Sequence, residues 1–216
     1  MAAGWVRAAG GEPANIGRAF EAKPIRTKDS QPRPALSPQE RRSVGALAAI
    51  YATRMLGLFL LLPVLALHAR ELPDYTPELL GLAMGAYGLT QALLQIPFGR
   101  WSDRFGRKPV IAIGLVLFAA GSLIGALAQS VVMLTIARCV QGAGAVSAAV
   151  SALLADLTRP EVRTRAMAVI GASIGLSFVL ALVLAPVLDG AIGVPGIFVV
   201  MLVMALLVFG LLSYPK

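Results

Sequence analysis

The sequence predicts an all-α membrane protein of six transmembrane helices with both termini in the cytoplasm. Three observations carry this: an apolar composition, six runs long enough to cross a bilayer, and a one-sided distribution of Lys and Arg. Hydrophobic residues make up 57% of the 216-residue chain and charged residues only 14%, with a mean hydropathy of +0.78. A soluble domain carries about 25% charged residues, so the solvent this composition fits is lipid. A bilayer core about 30 Å thick needs roughly 20 apolar residues per spanning helix.

Residues 1–35 mix Gly, Pro, Arg and Lys with scattered acids and lack apolar periodicity, so they read as a disordered basic cytoplasmic tail. The tail has no apolar core of a signal peptide, and Glu12, Glu21 and Asp29 disfavour an organelle transit peptide. The remainder, 36–216, reads as one transmembrane bundle with spans at about 43–67, 77–98, 109–129, 131–155, 166–188 and 196–214. The runs are continuous and rich in Leu, Ala and Gly. A β-barrel would instead alternate apolar and polar residues in strands of about ten.

Of 19 Lys and Arg, eight precede the first span (Arg7, Arg18, Lys23, Arg26, Lys28, Arg33, Arg41 and Arg42). Arg100, Arg104, Arg107 and Lys108 fall between spans 2 and 3, Arg159, Arg163 and Arg165 between spans 4 and 5, and Lys216 at the end. The connections of the other side hold only Arg70. This positive-inside pattern places both termini and the basic connections in the cytoplasm. It also argues against a nucleic-acid partner despite the net charge of +8, because the charge is spread over loops on one side of a membrane.

Enzyme chemistry has little footing. His68 and Cys139 are the single histidine and cysteine, neither has neighbours at metal-ligand spacing, and no cofactor is implied. The stretch Gly171-Ala172-Ser173-Ile174-Gly175 fits the G-x-S-x-G pattern of serine hydrolases. That pattern needs a strand-to-helix turn and a histidine base, whereas here it lies in a spanning helix. Gly171 and Gly175 there form a small-x-x-x-small face for close helix packing. Gly81 and Gly85, Gly121 and Gly125, and Gly142 and Gly144 give similar faces, while Pro63, Pro97 and Pro186 permit bends.

Polar groups inside the spans are the candidate functional residues. Arg54 in span 1 and Arg138 in span 4 each cost about 2.5–3.5 kcal/mol at mid-bilayer, so they are expected to face the bundle interior. Gln91 and Gln95 share a face of span 2, Gln141 lies one turn beyond Arg138, and Ser147 and Ser151 continue a polar stripe. Interhelical hydrogen bonding accounts for the serines; the Arg138–Gln141 pair reads as part of a substrate or proton path.

The arrangement Gly99-x-x-x-Asp103-Arg104-x-Gly106-Arg107-Lys108, in the connection after span 2, resembles the signature loop of the major facilitator superfamily. Arg138-x-x-Gln141-Gly142-x-Gly144-Ala145 resembles a second signature. Ala185-Pro186-Val187-Leu188-Asp189-Gly190 is similar to the ending of span 5 in drug–proton antiporters, with Ala185 and Asp189 where glycines are expected. Ser37-Pro38-Gln39-Glu40-Arg41-Arg42, Arg54-Met55-Leu56-Gly57 and Asp156-Leu157-Thr158-Arg159 resemble the YajR-type branch of efflux transporters.

The resemblance implies a multi-pass protein of the inner membrane, half of the twelve-helix major facilitator fold. It implies export of a small-molecule substrate by alternating access, with possible coupling to protons, and no enzymatic activity. Asp103, Arg104, Gly106, Arg107 and Lys108 would form a conformational latch with Asp156 as acidic partner, and Arg138 an embedded charge on the transport path. Pro186 and Gly190 would join Gly171 and Gly175 in the packing motif of span 5. The spans hold no clear mid-membrane Asp or Glu. The superfamily has twelve spans, so a second six-helix bundle is expected as partner, and the chain is expected to be a truncated half. A six-span protein without transport, or a half-transporter needing a partner, is the alternative.

Overall fold

The computed structural model describes residues 35–144 and 146–213. The chain divides into two units, Met1–Pro34 and Ala35–Lys216. The disorder expected of the tail falls on residues 1–34, outside the described residues, as does Ala145 of the second signature.

All regular structure among the described residues is helical. Helix α1 (Pro38–Ala69) starts at a capping box, in which Glu40 N–H donates to Ser37 Oγ (3.2 Å) and Ser37 N–H to Glu40 Oε2 (2.7 Å). Pro38 sits at its first turn, where a missing N–H costs nothing. Helix α2 (Pro77–Phe105) begins with Leu79 N–H donating to the Thr76 hydroxyl. It runs 29 residues, through most of the segment expected as a loop. The signature "loop" is therefore largely helix: Gly99 to Phe105 are its last turns, and only Gly106 separates it from α3 (Arg107–Ala126). Gly106 has φ 95°, a conformation that favours glycine over any side chain.

The run expected as span 4 is interrupted, giving α4 (Val131–Ala143) and α5 (Ser147–Leu157). The chain here lies against the backbones of α2 and α3. A Cβ on Gly144 would come within 2.3 Å of the Gly114 carbonyl oxygen, and one on Gly142 within 2.2 Å of the Tyr87 carbonyl oxygen. Backbones this close leave no room for side chains, and the carbonyl of Gly144 is left available to a partner outside the helix.

Spans 5 and 6, expected as separate helices, form α6 (Pro160–Ser213), 54 residues continuous but for a break at Gly193 (φ 67°, ψ 175°). At about 1.5 Å per residue an unbroken helix of that length would be more than twice as long as a bilayer core is thick. Among the described residues, five helices are long and apolar enough to cross a membrane, counting α4 and α5 as one and α6 as one.

Helices α1 and α6 pack against each other and, with α3, bury two apolar clusters. One gathers Leu47, Ile50, Ile111, Leu154 and Val208; the other gathers Leu61, Phe118, Leu134, Phe198 and Met201. Along α1, Arg54 falls between the two. The outer faces of α2 and α6 are apolar and uncovered, with Leu89, Leu93, Ile96, Val183 and Val187 all more than half exposed. In water such faces would drive association; in lipid they meet their own kind.

Candidate functional site

Two polar groups stand out, one at an end of the bundle and one inside it. At the end, Arg107 opens α3 directly after the Gly106 turn. Its Nε lies 3.3 Å from Asp156 Oδ2 at the end of α5, and its Nη1 donates to Asp103 Oδ1 in the last turn of α2. The same Nη1 donates to the buried Ser102 hydroxyl (2.7 Å), which in turn donates to the Gly99 carbonyl (2.9 Å). One guanidinium thus ties together three helices, with charge-assisted bonds to two carboxylates. Arg104 lies over the Phe105 ring and Lys108 lines a cleft among α1, α3, α5 and α6; neither bonds Asp103 or Asp156.

Inside the bundle, Arg54 and Arg138 are both buried, at 2% and 1% exposure. Arg54 Nη2 donates to the Tyr87 hydroxyl (3.0 Å), and its Nη1 donates to the Gly144 carbonyl that the α4–α5 break exposes. Its guanidinium carbon lies 5.7 Å from the Phe118 ring centre. Arg138 stacks on the Tyr87 ring at 4.7 Å and donates to Gln141 Oε1 (3.1 Å); Gln141 Nε2 donates to Ser122 Oγ (3.0 Å). The two cations therefore meet across one tyrosine, its face turned to Arg138 and its hydroxyl to Arg54. Neither bonds a carboxylate among the described residues, and the Nε of each is buried without a hydrogen-bond partner.

A second polar row runs beside this layer. Tyr51 O–H lies 2.8 Å from the Ser147 carbonyl and 2.9 Å from Ser151 Oγ, and Gln91 Nε2 reaches Ser147 Oγ at 3.5 Å. Gln91 Oε1 is buried and unpartnered, and Gln95, half-buried, makes no hydrogen bond among the described residues.

The expected glycine faces divide sharply. Gly121 and Gly125 of α3 and Gly142 and Gly144 lie against neighbouring helices, whereas Gly81, Gly85, Gly171, Gly175 and Gly190 have nothing within 4 Å of a built Cβ. Nor does Pro186, exposed on α6, face a partner helix side by side with them. Among the described residues, that side of α6 is uncovered. Ser173 donates to the Ile170 carbonyl of its own helix (2.7 Å). No cluster of three metal-ligating side chains occurs among the described residues.

Sequence reasoning missed three features. Tyr87 carries no signal in the sequence that sets it apart from the apolar residues of α2. Glu40 is buried and accepts from Arg159 Nε (3.0 Å), Nη2 (3.1 Å) and backbone N–H (3.1 Å), clamping the start of α1 to the α5–α6 turn. Asp74, in the turn after α1, accepts from the Val131 and Val132 N–H groups (2.7 and 3.0 Å) at the start of α4. Those two donors hold its carboxyl below the usual carboxylate range, the Val131 bond most strongly. Glu40 lies in the first turn of α1, within a stretch noted only for its resemblance, and Asp74 lies in a turn expected only to connect spans.

A family model described as the Major Facilitator Superfamily matches residues 47–216. The chain is 48% identical over 170 residues to the inner membrane transport protein YajR of Escherichia coli, a match covering 79% of this chain and 37% of that protein. It is 33% identical over 114 residues to multidrug resistance protein 1 of Bacillus subtilis, covering 52% of this chain and 29% of that protein. Against quinolone resistance protein NorA of Staphylococcus aureus it is 33% identical over 105 residues, covering 48% and 27%. The crystal structure of the human organic anion transporter MFSD10 shares the fold, with a TM-score of 0.68 at 24% identity, covering 82% of this chain and 48% of that one. The chain spans about a third of the length of these curated relatives.

Proposed function

The chain belongs to the Major Facilitator Superfamily, and from that premise we propose that it is the N-terminal half of a secondary active transporter exporting a small molecule by alternating access. It is a multi-pass membrane protein of a family whose members transport rather than catalyse. In this reading α6 crosses the bilayer twice, on either side of Gly193, which makes six spans with both termini in the cytoplasm. The membrane is the cytoplasmic (inner) one, by likeness to its 48%-identical relative.

The observation that carries the proposal is the buried pair Arg54 and Arg138 around Tyr87. A cation inside a membrane protein is expensive, and residues of this kind mark paths for substrate or ions. Two in contact with one aromatic ring, without a carboxylate beside either, exceed what packing requires. They are read as lining the transport path together with Gln91, Gln95 and Gln141. Arg107, bridging Asp103 and Asp156, is the latch: a contact between three helix ends that holds in one conformation and breaks in the other. Arg104 and Lys108 are not part of it.

Export fits the relatives named for multidrug and quinolone resistance. Proton coupling would require a titrating carboxylate, which in this reading comes from a second six-helix bundle. The uncovered small-residue faces of α2 (Gly81, Gly85) and α6 (Gly171, Gly175) are where that bundle docks. Proteoliposomes containing the chain together with a complementary C-terminal bundle test the proposal: a proton gradient should drive dye efflux, and Arg138→Ala should abolish it. Equal efflux from wild type and variant would remove the assigned path.

A further inference from the structure

At the end of the bundle where α1 starts and α5 stops, a cleft of about 730 Å³ opens among α1, α3, α5 and α6. Leu47, Ile50, Leu153 and Val208 line it, all buried, and make an apolar floor. Arg42 and Lys108 line it as well, from near the starts of α1 and α3. Both are exposed, and neither makes a hydrogen bond or ion pair among the described residues.

This combination selects its occupant. The volume lies within the range of small-molecule sites, roughly 300–1,000 Å³. A neutral apolar chain would fill the floor and leave two cations unpaired. A small soluble anion would pair the cations and leave the floor empty. An amphiphile with one negative headgroup and an acyl chain satisfies both, and the bilayer around this protein supplies such molecules at high local concentration. Basic pockets between membrane helices bind anionic headgroups for these reasons.

We propose that the cleft is a binding site for an anionic phospholipid of the adjoining leaflet, its phosphate between Arg42 and Lys108 and an acyl chain along Leu47, Ile50, Leu153 and Val208. Lys108 belongs to the signature segment but lines this cleft and pairs with neither Asp103 nor Asp156. A bound lipid would therefore tie the α1 start to the α3 start, next to Arg107.

The test uses the full chain in detergent, titrated with phosphatidylglycerol, phosphatidylcholine or inorganic phosphate, and read by native mass spectrometry and thermal shift. Phosphatidylglycerol should bind and raise the melting temperature; the other two should do neither. The double variant Arg42→Ala/Lys108→Ala should weaken phosphatidylglycerol binding by about 30-fold, since a basic residue near the surface contributes about 1 kcal/mol. Arg42→Lys/Lys108→Arg should keep it, and Ala46→Trp, which fills the cleft without changing charge, should weaken it. Arg100→Ala/Arg163→Ala removes the same charge outside the cleft and should leave binding unchanged. Equal binding of the two phospholipids would overturn the proposal. So would an equal loss in the two double alanine variants, or stabilisation by inorganic phosphate alone.

Discussion

The Nε of Arg107 lies 3.3 Å from Oδ2 of Asp156, although the two residues are 49 positions apart in the chain. The contact joins the first turn of α3 to the last turn of α5, and Arg107 also bonds Asp103 in the last turn of α2. The side chains are accessible, at 24% for Arg107, 57% for Asp156 and 66% for Asp103. Accessible ion pairs contribute little to stability, about 0–1 kcal/mol each. The proposed latch uses such weak contacts, which can break between conformations.

Asp103→Asn and Asp156→Asn should therefore change the melting temperature only slightly yet reduce efflux by about tenfold or more in the complemented assembly, where tenfold corresponds to about 1.4 kcal/mol. Thermal unfolding and dye efflux measured on the same preparations separate the two effects. Full efflux in both variants would reject the latch.

Arg138→Lys should behave much like Arg138→Ala in transport. A lysine ammonium lacks the planar fork that donates to Gln141 while stacking on the Tyr87 face. Efflux should be lost in both variants while membrane insertion, followed by protease protection of the loops, is retained.

The glycines predict a contrast within one side-chain type. Gly142→Ala and Gly144→Ala would press a Cβ against backbone oxygens 2.2 and 2.3 Å away, and overpacking of this kind costs about 1–3 kcal/mol. Both should lower the melting temperature of this chain. Gly171→Ala and Gly175→Ala have open space and should leave it unchanged. In the complemented assembly they should weaken association of the halves, measured by co-purification.

Much of this was legible in the sequence, for reasons that differ by residue. Hydrophobic run length indicated where the helices lie, because lipid leaves the backbone no other solution, although α1 starts five residues earlier and α2 runs seven residues further than expected. The burial of Arg54 and Arg138 followed from the cost of a charge in hydrocarbon. Spacing also placed Gln141 on the same face as Arg138, and the two are hydrogen-bonded. The break between α4 and α5 was not legible, since Gly142 and Gly144 are explained only by the backbones of α2 and α3 lying against them. Tyr87 was missed for a related reason: a tyrosine in an apolar helix declares its role only when its neighbours in space are known. The connection expected after span 2 became helix because Trp101 to Phe105 have no breaker among them, and charge alone does not end a helix.

Asp74 supplies a pH test. Its native carboxyl lies below the ordinary value because the Val131 and Val132 N–H groups favour the charged form. Its contribution to stability is thus fully present above the ordinary carboxylate range and is lost as pH falls through the lowered native value. The wild type should lose melting temperature between pH 5 and pH 3 (roughly the carboxylate titration range), and Asp74→Ala should lose less over the same interval. Parallel curves would show that Asp74 does not cap α4 in solution.

The central claim is that this chain supplies the path-lining half of an exporter. Proton-driven dye efflux from proteoliposomes holding the chain with a complementary six-helix bundle, compared for wild type, Arg54→Ala and Arg138→Ala, tests it most directly. Efflux in the wild type and its loss in both variants, with assembly intact, is the predicted result. Undiminished efflux in either variant, or none from a correctly assembled wild type, would contradict the account.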